Sequence, residues 1–422
     1  MPTNQQGPAA TGSPTPAPAP RDAGGGPPGW LITLLAASCG LTVANLYYAQ
    51  PLLETLRNAF HLDDATAGAL ITVTQIGYAA GMLLLVPLGD RIENRRLVSG
   101  LLVLTTAALA AAGLAPTFPV LLCAALVAGA TSVVAQILVP FAADLSPDHT
   151  RGRVVGRVMS GLLAGILLSR TLGSLLAEAT GWRVVYLTSA VLMAVLALTL
   201  RSALPRRTPT SEDNYGALLR STFRLVRTHA VLRRRALYQA AMFAVFSAFW
   251  TTISYVLTAA PYHYSQLGIG LFALVGAAGA SVAPLAGRWA DRGLGRPMTA
   301  AAFLVAAAAL AIAGFGQHSI IALTAAAVLL DLAVQSTLIL GQHAIYQLDA
   351  TARARINSIF IATFFLGGAF GSQVGSIAYH WGGWTALVVF AAALPVLALL
   401  LWTTDRTAKN TTAKNTTVNA AV

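Results

Sequence analysis

The sequence predicts an all-α integral membrane protein, with twelve transmembrane helices in two pseudo-symmetric six-helix bundles. Three observations carry that expectation. Of 422 residues, 56% are hydrophobic and only 10% charged, whereas a soluble domain carries roughly 25% charge. The apolar residues form continuous runs of about 18 or more, each able to cross a bilayer core as a helix. These runs do not alternate, which excludes a transmembrane barrel. Finally, a charged turn, Pro87-Leu88-Gly89-Asp90-Arg91-Ile92-Glu93-Asn94-Arg95-Arg96, recurs about 200 residues later as Pro284-Leu285-Ala286-Gly287-Arg288-Trp289-Ala290-Asp291-Arg292-Gly293-Leu294-Gly295-Arg296. A duplicated turn at a fixed offset points to a duplicated membrane unit.

Residues 1–28 are rich in Pro, Gly, Ala and Thr and poor in bulky apolar side chains. They read as a disordered N-terminal tail. The N-terminal bundle is expected over 29–203, with spans at 30–50, 66–88, 97–115, 117–143, 155–177 and 183–203. Residues 204–235 form a long Arg-rich central loop. Within it, Leu219, Phe223 and Val226 share one helical face and Arg220, Arg224 and Arg227 another. That pattern fits either a basic amphipathic helix on an anionic leaflet or a solvated linker helix. The C-terminal bundle is expected over 236–404, with spans at 237–260, 266–288, 298–315, 319–343, 357–379 and 384–403. Residues 405–422 read as a second tail.

Orientation follows from the arginines. Arg91, Arg95, Arg96, Arg151, Arg153, Arg292, Arg296, Arg353 and Arg355, with the central-loop cluster, all fall in loops on one side. The opposite loops offer little beyond Arg57 and Arg183. The positive-inside rule makes the Arg-rich side cytoplasmic, and both termini with it. The net charge of +12 is thereby explained without nucleic acid. Cys39 and Cys123 sit in separate apolar runs and read as buried, inert thiols rather than a disulfide or metal site.

At an offset of about 202, Arg151 and Arg153 map to Arg353 and Arg355, Gly165 to Gly367, Gly173-Ser174 to Gly375-Ser376, and Gly181-Trp182 to Gly383-Trp384. Two parallel halves around a central cavity follow.

With these motifs the chain resembles the major facilitator superfamily over nearly its whole length outside the tails. Gly89-Asp90-Arg91, with Arg95-Arg96, is similar to that family's signature loop between helices two and three. Gly287, Asp291-Arg292 and Arg296 resemble the weaker repeat between helices eight and nine. The first copy departs from the pattern, with Val86 where a leading Gly is usual and Glu93-Asn94 in place of the Gly region. Ala44-Asn45-Leu46-Tyr47-Tyr48-Ala49-Gln50-Pro51 resembles a bacterial branch of drug and sugar efflux permeases. Span five, through Gly165, Ser169-Arg170 and Gly173-Ser174, is similar to the family's antiporter motif in degenerate form. The resemblance implies a proton-coupled antiporter of the bacterial plasma membrane that exports a small amphipathic compound by alternating access. The same fold also serves symporting importers. A membrane receptor or scaffold that transports nothing is the rival from another class.

The resemblance also implies that Asp90 faces the start of span eleven, at Asn357 and Ser358, as a gate latch. There a carboxylate at a helix N-terminus gains about 0.3–1 kcal/mol from the macrodipole. Arg91, Arg95 and Arg96 would then pair with acids such as Glu93 or Asp144.

The residues themselves single out two charges at membrane depth. An unpaired Arg170 in span five costs at least about 2.5–3.5 kcal/mol and so must face protein or a wet cavity. Asp331, flanked by Leu329, Leu330 and Leu332 in span ten, is the first candidate for carrying the proton. A fixed Arg170–Asp331 ion pair is the competing possibility. Gln335 lies one turn further on the same face as Asp331. Spans one, four, seven and ten line the cavity in the resembled fold, which adds Asn45, Gln136 and Trp250 to the substrate set. Gly161, Gly165, Gly173, Gly367, Gly371 and Gly375 read as close helix-packing positions. No metal site, nucleotide loop or nucleophile elbow is present in the sequence. No cofactor and no enzyme activity are expected, only a proton gradient, a small-molecule substrate and a lipid bilayer around a monomer.

Overall fold

Residues 27–206, 214–349 and 352–404 are described by a computed structural model. Both predicted tails, apart from 27–28, lie outside the described residues. The N-terminal half contains α1 (Gly29–Ala44), α2 (Ala49–Phe60), α3 (Asp64–Leu84), a 3-10 turn (Val86–Asp90), α4 (Asn94–Gly113), α5 (Phe118–Thr131), α6 (Val134–Asp144), α7 (Asp148–Thr180) and α8 (Trp182–Ala203). A connecting helix, α9 (Tyr215–Thr228), leads to the C-terminal half. That half contains α10 (Ala230–Thr258), α11 (Gln266–Phe272), a 3-10 turn (Ala273–Gly276), α12 (Ala277–Ser281), α13 (Ala283–Asp291), α14 (Gly295–Ala313), α15 (Ile320–Tyr346) and α16 (Arg353–Thr403).

Ten helical stretches among the described residues are long and apolar enough to cross a membrane. One of them, α16, breaks at Gly382 and Gly383, where Gly383 takes φ 61°. Side chains other than glycine disfavour that conformation, so the helix turns there and makes two passes. The eighth predicted span is absent from the ten because it is broken into α11, α12 and α13. Adding both gives the twelve passes the sequence predicts.

Several boundaries differ from expectation. Span one stops at Ala44, turns through 45–48 and resumes as α2, with Pro51 in its first turn. Proline fits there because first-turn amides have no intrahelical acceptor. Asp63 caps α3, its carboxylate accepting from the Thr66 amide at 2.7 Å and the Thr66 hydroxyl at 2.9 Å. Those bonds hold the Asp63 carboxyl below its ordinary range. The seventh span begins at Ala230 rather than 237, which shortens the central loop. In α9 the buried residues are Leu218 and Thr222. Phe223, from the apolar face read in the sequence, is exposed, and the face of α9 that packs on protein lies about one residue earlier. Cys39 is buried but Cys123 is exposed on an outer helix face.

Within halves, α1 packs on α7, α4 on α8, α3 on α5, α10 on α16 and α14 on α15. Between halves the most extensive contacts are α3 with α16, α7 with α11 and α2 with α10. Outward faces carry exposed Leu, Ile and Val such as Val191, Leu198, Ile321 and Val389, suited to lipid contact. The glycine pairs are responsible for the close approach inside each half. A Cβ on Gly165 or Gly161 would overlap the backbone carbonyls of Gly40 and Ala36. One on Gly371 or Gly367 would overlap those of Ala244 and Ala240. A Cβ on Gly375 would meet the Ala248 side chain, and one on Gly173 would lie 3.3 Å from the Tyr48 ring, a tight contact.

Candidate functional site

Helices α7, α10 and α15 each bring one functional side chain to the same point between the halves. Arg170, Trp250 and Asp331 are 3%, 1% and 4% exposed. The Arg170 guanidinium stacks over the Trp250 ring at 4.5 Å and lies 5.1 Å and 5.3 Å from the rings of Tyr47 and Phe246. Its Nε donates to Gln50 Oε1 at 2.9 Å. On the other edge of the indole, Trp250 Nε1 donates to Asp331 Oδ1 at 3.0 Å. The tryptophan therefore sits between the two charges, its face against the cation and its N–H on the carboxylate. The charges attract one another, but the direct ion pair considered from sequence is not formed. The position a Cβ on Gly276 would take lies 2.8 Å from Asp331 Oδ2 and 3.5 Å from Arg170 Nη1. A side chain at 276 would crowd the Asp331 carboxylate, so glycine suits the place beside that gap. This accounts for the broken eighth span, since non-helical backbone at membrane depth is tolerated where it lines a cavity.

The centre opens into a cavity of about 640 Å³. Its lining starts with Tyr47, Arg170, Gly276 and Asp331 and passes Gln136, Gln335 and Phe246. It ends at Val155, Tyr346 and Asn357 toward the Arg-rich side. Of the sequence candidates, Arg170, Asp331, Gln136 and Gln335 line this space, and Trp250 lies behind Arg170 outside the lining. Asn45 does not. Its amide oxygen accepts from Ser189 at 2.7 Å and its nitrogen donates to Ser132 at 3.3 Å, so it ties α1 to α8 inside the N-terminal half. The break after Ala44 turns it away from the cavity. Tyr47, Gln50 and Gly276 were not in the sequence set. Tyr47 and Gln50 were visible within the quoted Tyr47-Tyr48-Ala49-Gln50 motif, but only a helix break could have aimed them inward.

The opposite, Arg-poor end is bridged from half to half. Gln266 accepts from the Thr55 hydroxyl at 3.1 Å and donates to the Pro51 carbonyl at 2.7 Å. Thr171 donates to the Gly270 carbonyl at 2.8 Å, and Leu267 N donates to Glu178. Thr72 and Ser372 hydroxyls are 2.8 Å apart, and Gln75 donates to Ser247 at 2.9 Å. Gly68 lies directly against Ser376. A cavity with a mostly apolar lining thus reaches the Arg-rich side, while the opposite end is closed by hydrogen bonds between the halves.

The sequence profile of the Major Facilitator Superfamily matches residues 32–345 and 263–420. The chain belongs to the major facilitator superfamily. It is 41% identical over 372 residues to the uncharacterized transporter YgaY of Escherichia coli O157:H7, covering 88% of this chain and 94% of that one. It is 34% identical over 401 residues to the "Probable transporter SCO4007" of Streptomyces coelicolor, covering 93% and 92%. Among solved structures, it superimposes on a bacterial homolog of the human lysosomal transporter Spinster in an inward-facing, occupied conformation. The TM-score there is 0.70 with 15% identity, covering 88% of this chain and 95% of that one, a likeness of fold. It is a multi-pass membrane transporter.

In the turn similar to the superfamily's signature, Arg95, Arg96 and Glu93 make contacts within their own half. Arg96 pairs with Glu93 at 3.2 Å, and Arg206 lies 3.8 Å from the same acid. Arg95, expected on an acid, instead donates to the Leu204 carbonyl at 2.6 Å, because the last carbonyls of α8 lack intrahelical partners. Gly89 lies within the 3-10 turn and Arg91 directly after it, and Asp90 and Arg91 are exposed. Asn357, expected opposite Asp90, accepts from the Tyr346 hydroxyl at 3.0 Å within the C-terminal half, and Ser358 is buried. In the second copy Asp291 reaches His343 at 3.5 Å. Arg296 stacks on Trp402 at 4.4 Å, and Arg292 is exposed. Because the second copy has Leu294 and Pro297 where the first has Glu93 and Arg96, it lacks the acid–arginine pair of the first, and the two turns are unequal. Asp90→Asn is expected to lower transport initial rates more than Asp291→Asn. Equal or greater loss in the second variant refutes that ranking.

Proposed function

We propose that the protein is a proton-coupled secondary transporter that exports a small amphipathic compound by rocking its two halves about the Arg170–Trp250–Asp331 centre. One observation carries this reading. Two opposite charges lie at membrane depth, unpaired, at the closed end of a cavity between the halves. Asp331 is the proton carrier. Arg170, Gln136 and Gln335 meet the substrate. Aromatic rings of Tyr47 and Phe246 suit an amphipathic body, with Trp250 holding Arg170 from behind. The protein works as a monomer in the bacterial plasma membrane with both termini cytoplasmic, so the state described is inward-facing. It needs no cofactor beyond the proton gradient. The antiporter-like residues of span five favour exchange over import.

A second reading, import by proton symport, is favoured by one feature. Arg170 and Asp331 face each other across Gly276 without pairing. A ligand that engages Arg170 leaves Asp331 free to take a proton alongside it.

Everted vesicles loaded with acid by respiration separate the two. Adding a panel of amphipathic drugs, dyes and sugars should release lumenal protons for at least one compound if exchange operates. Further acidification by that compound identifies symport. No compound moving protons in either direction, with the protein present and folded, would leave the receptor reading standing.

A further inference from the structure

Arg170 holds more donor capacity than the protein around it uses. Its Nε is bonded to Gln50, but its Nη2 and the Nε2 of Gln50 are buried and meet no acceptor among the described residues. Gln50 is 1% exposed and Arg170 3%. Leaving buried donors unfilled is unfavourable, more so beside a full charge away from water. The nearest acid cannot relieve it, since Asp331 is beyond ion-pair reach and gives one oxygen to Trp250. The two unfilled donors belong to neighbouring, mutually bonded side chains, so one group can satisfy both. Arg170 itself lines the cavity.

We propose that the cavity takes its substrate by an anionic head group, a carboxylate, sulfonate or phosphate, held by Arg170 Nη2 with Gln50 Nε2 as the second donor. An oxyanion offers two acceptors in the spacing a guanidinium edge matches. The apolar body of the ligand lies against Tyr47 and Phe246, which flank the guanidinium. A cationic head would meet Arg170 at a depth where like charges are poorly screened. This assignment rests on reading the cavity as the transport site and names the substrate class for it.

The test uses the full-length protein in phosphatidylcholine nanodiscs. Isothermal titration and thermal shift compare aryl and bicyclic probes, each as a matched carboxylate, amide and amine; 1-naphthoate, 1-naphthamide and 1-naphthylmethylamine form one such set. Carboxylates should bind at least about tenfold more tightly than their amides, and amines should not bind. Arg170→Lys keeps the charge but loses the fork, and should weaken carboxylate binding by about tenfold. Gln50→Glu places a carboxylate on the open donors. It should abolish probe binding without lowering the melting temperature of the ligand-free protein, which separates a filled site from a misfolded one.

The assignment is overturned if amides or amines bind as well as carboxylates, or if no carboxylate binds. It is also overturned if Gln50→Glu binds carboxylates like the unsubstituted protein. Uptake into proteoliposomes separates its failure from failure of the transport reading. A transported amine or amide sinks the anion class and leaves the transporter. A carboxylate that binds at Arg170 but is never transported sinks the transporter and leaves the site.

Discussion

Asp331→Asn should reduce proton-driven transport to the level of empty liposomes and leave substrate exchange running. The substitution is close to isosteric. The asparagine side-chain oxygen can still accept from Trp250 Nε1, the bond now made at 3.0 Å, so the indole stays under Arg170 and the cavity keeps its shape. What is lost is the ionisable group and its attraction for Arg170. Net movement against a gradient requires a group that carries a proton to one side and returns without it. Exchange of labelled for unlabelled substrate requires only that the loaded carrier reorient. Counterflow in proteoliposomes therefore distinguishes a coupling group from a ligand. If exchange disappears together with driven transport while the melting temperature is unchanged, Asp331 is a substrate contact. If driven transport survives, another group carries the proton.

Continuous apolar runs, Arg-rich loops and the Asp90/Asp291 repeat were enough to read the two-half architecture, because membrane insertion leaves few alternatives to helices. Arg170 and Asp331 were equally legible, since an isolated charge inside an apolar run has few structural uses. What escaped was local backbone geometry. The eighth span read as one helix from hydropathy, although Gly268, Gly270, Gly276, Gly279 and Pro284 lower helix propensity along it. Its break is explained by a partner distant in sequence, Asp331 on α15, against which Gly276 and Gly279 pack. Asn45 failed for the complementary reason. Its residue type suggests a ligand contact, but Ser132 and Ser189 on other helices already satisfy it. Arg95 shows the same limit at the surface, where its acceptors are the carbonyls ending α8 and not an acid. Residue type told where polarity lies, and tertiary neighbours decided what it binds.

The glycines supply the second large effect, and they divide by whether motion can relieve a clash. Gly165→Leu should abolish folded protein. Its side chain would drive into the Gly40 backbone within one half, and α1 and α7 have no other arrangement available in a packed bundle. Gly68→Leu should fold and yet fail to transport. Gly68 faces Ser376 across the seam between the halves, at the end sealed through Thr72, Thr171 and Gln266. Overpacking costs about 1–3 kcal/mol, and each sealing hydrogen bond contributes about 1 kcal/mol. A wedge of that size shifts a two-state balance by roughly 5- to 150-fold. Opening the seal relieves it without disturbing either half.

A Cys39→Ala/Cys123→Ala background with Gln335→Cys in the cavity reads this out. A membrane-impermeant maleimide added to intact cells should label Gln335→Cys slowly in the parent and rapidly once Gly68→Leu is present. Equal labelling in both, or loss of the folded Gly68→Leu protein, would mean that the Gly68–Ser376 contact belongs to the rigid core rather than to the moving seam.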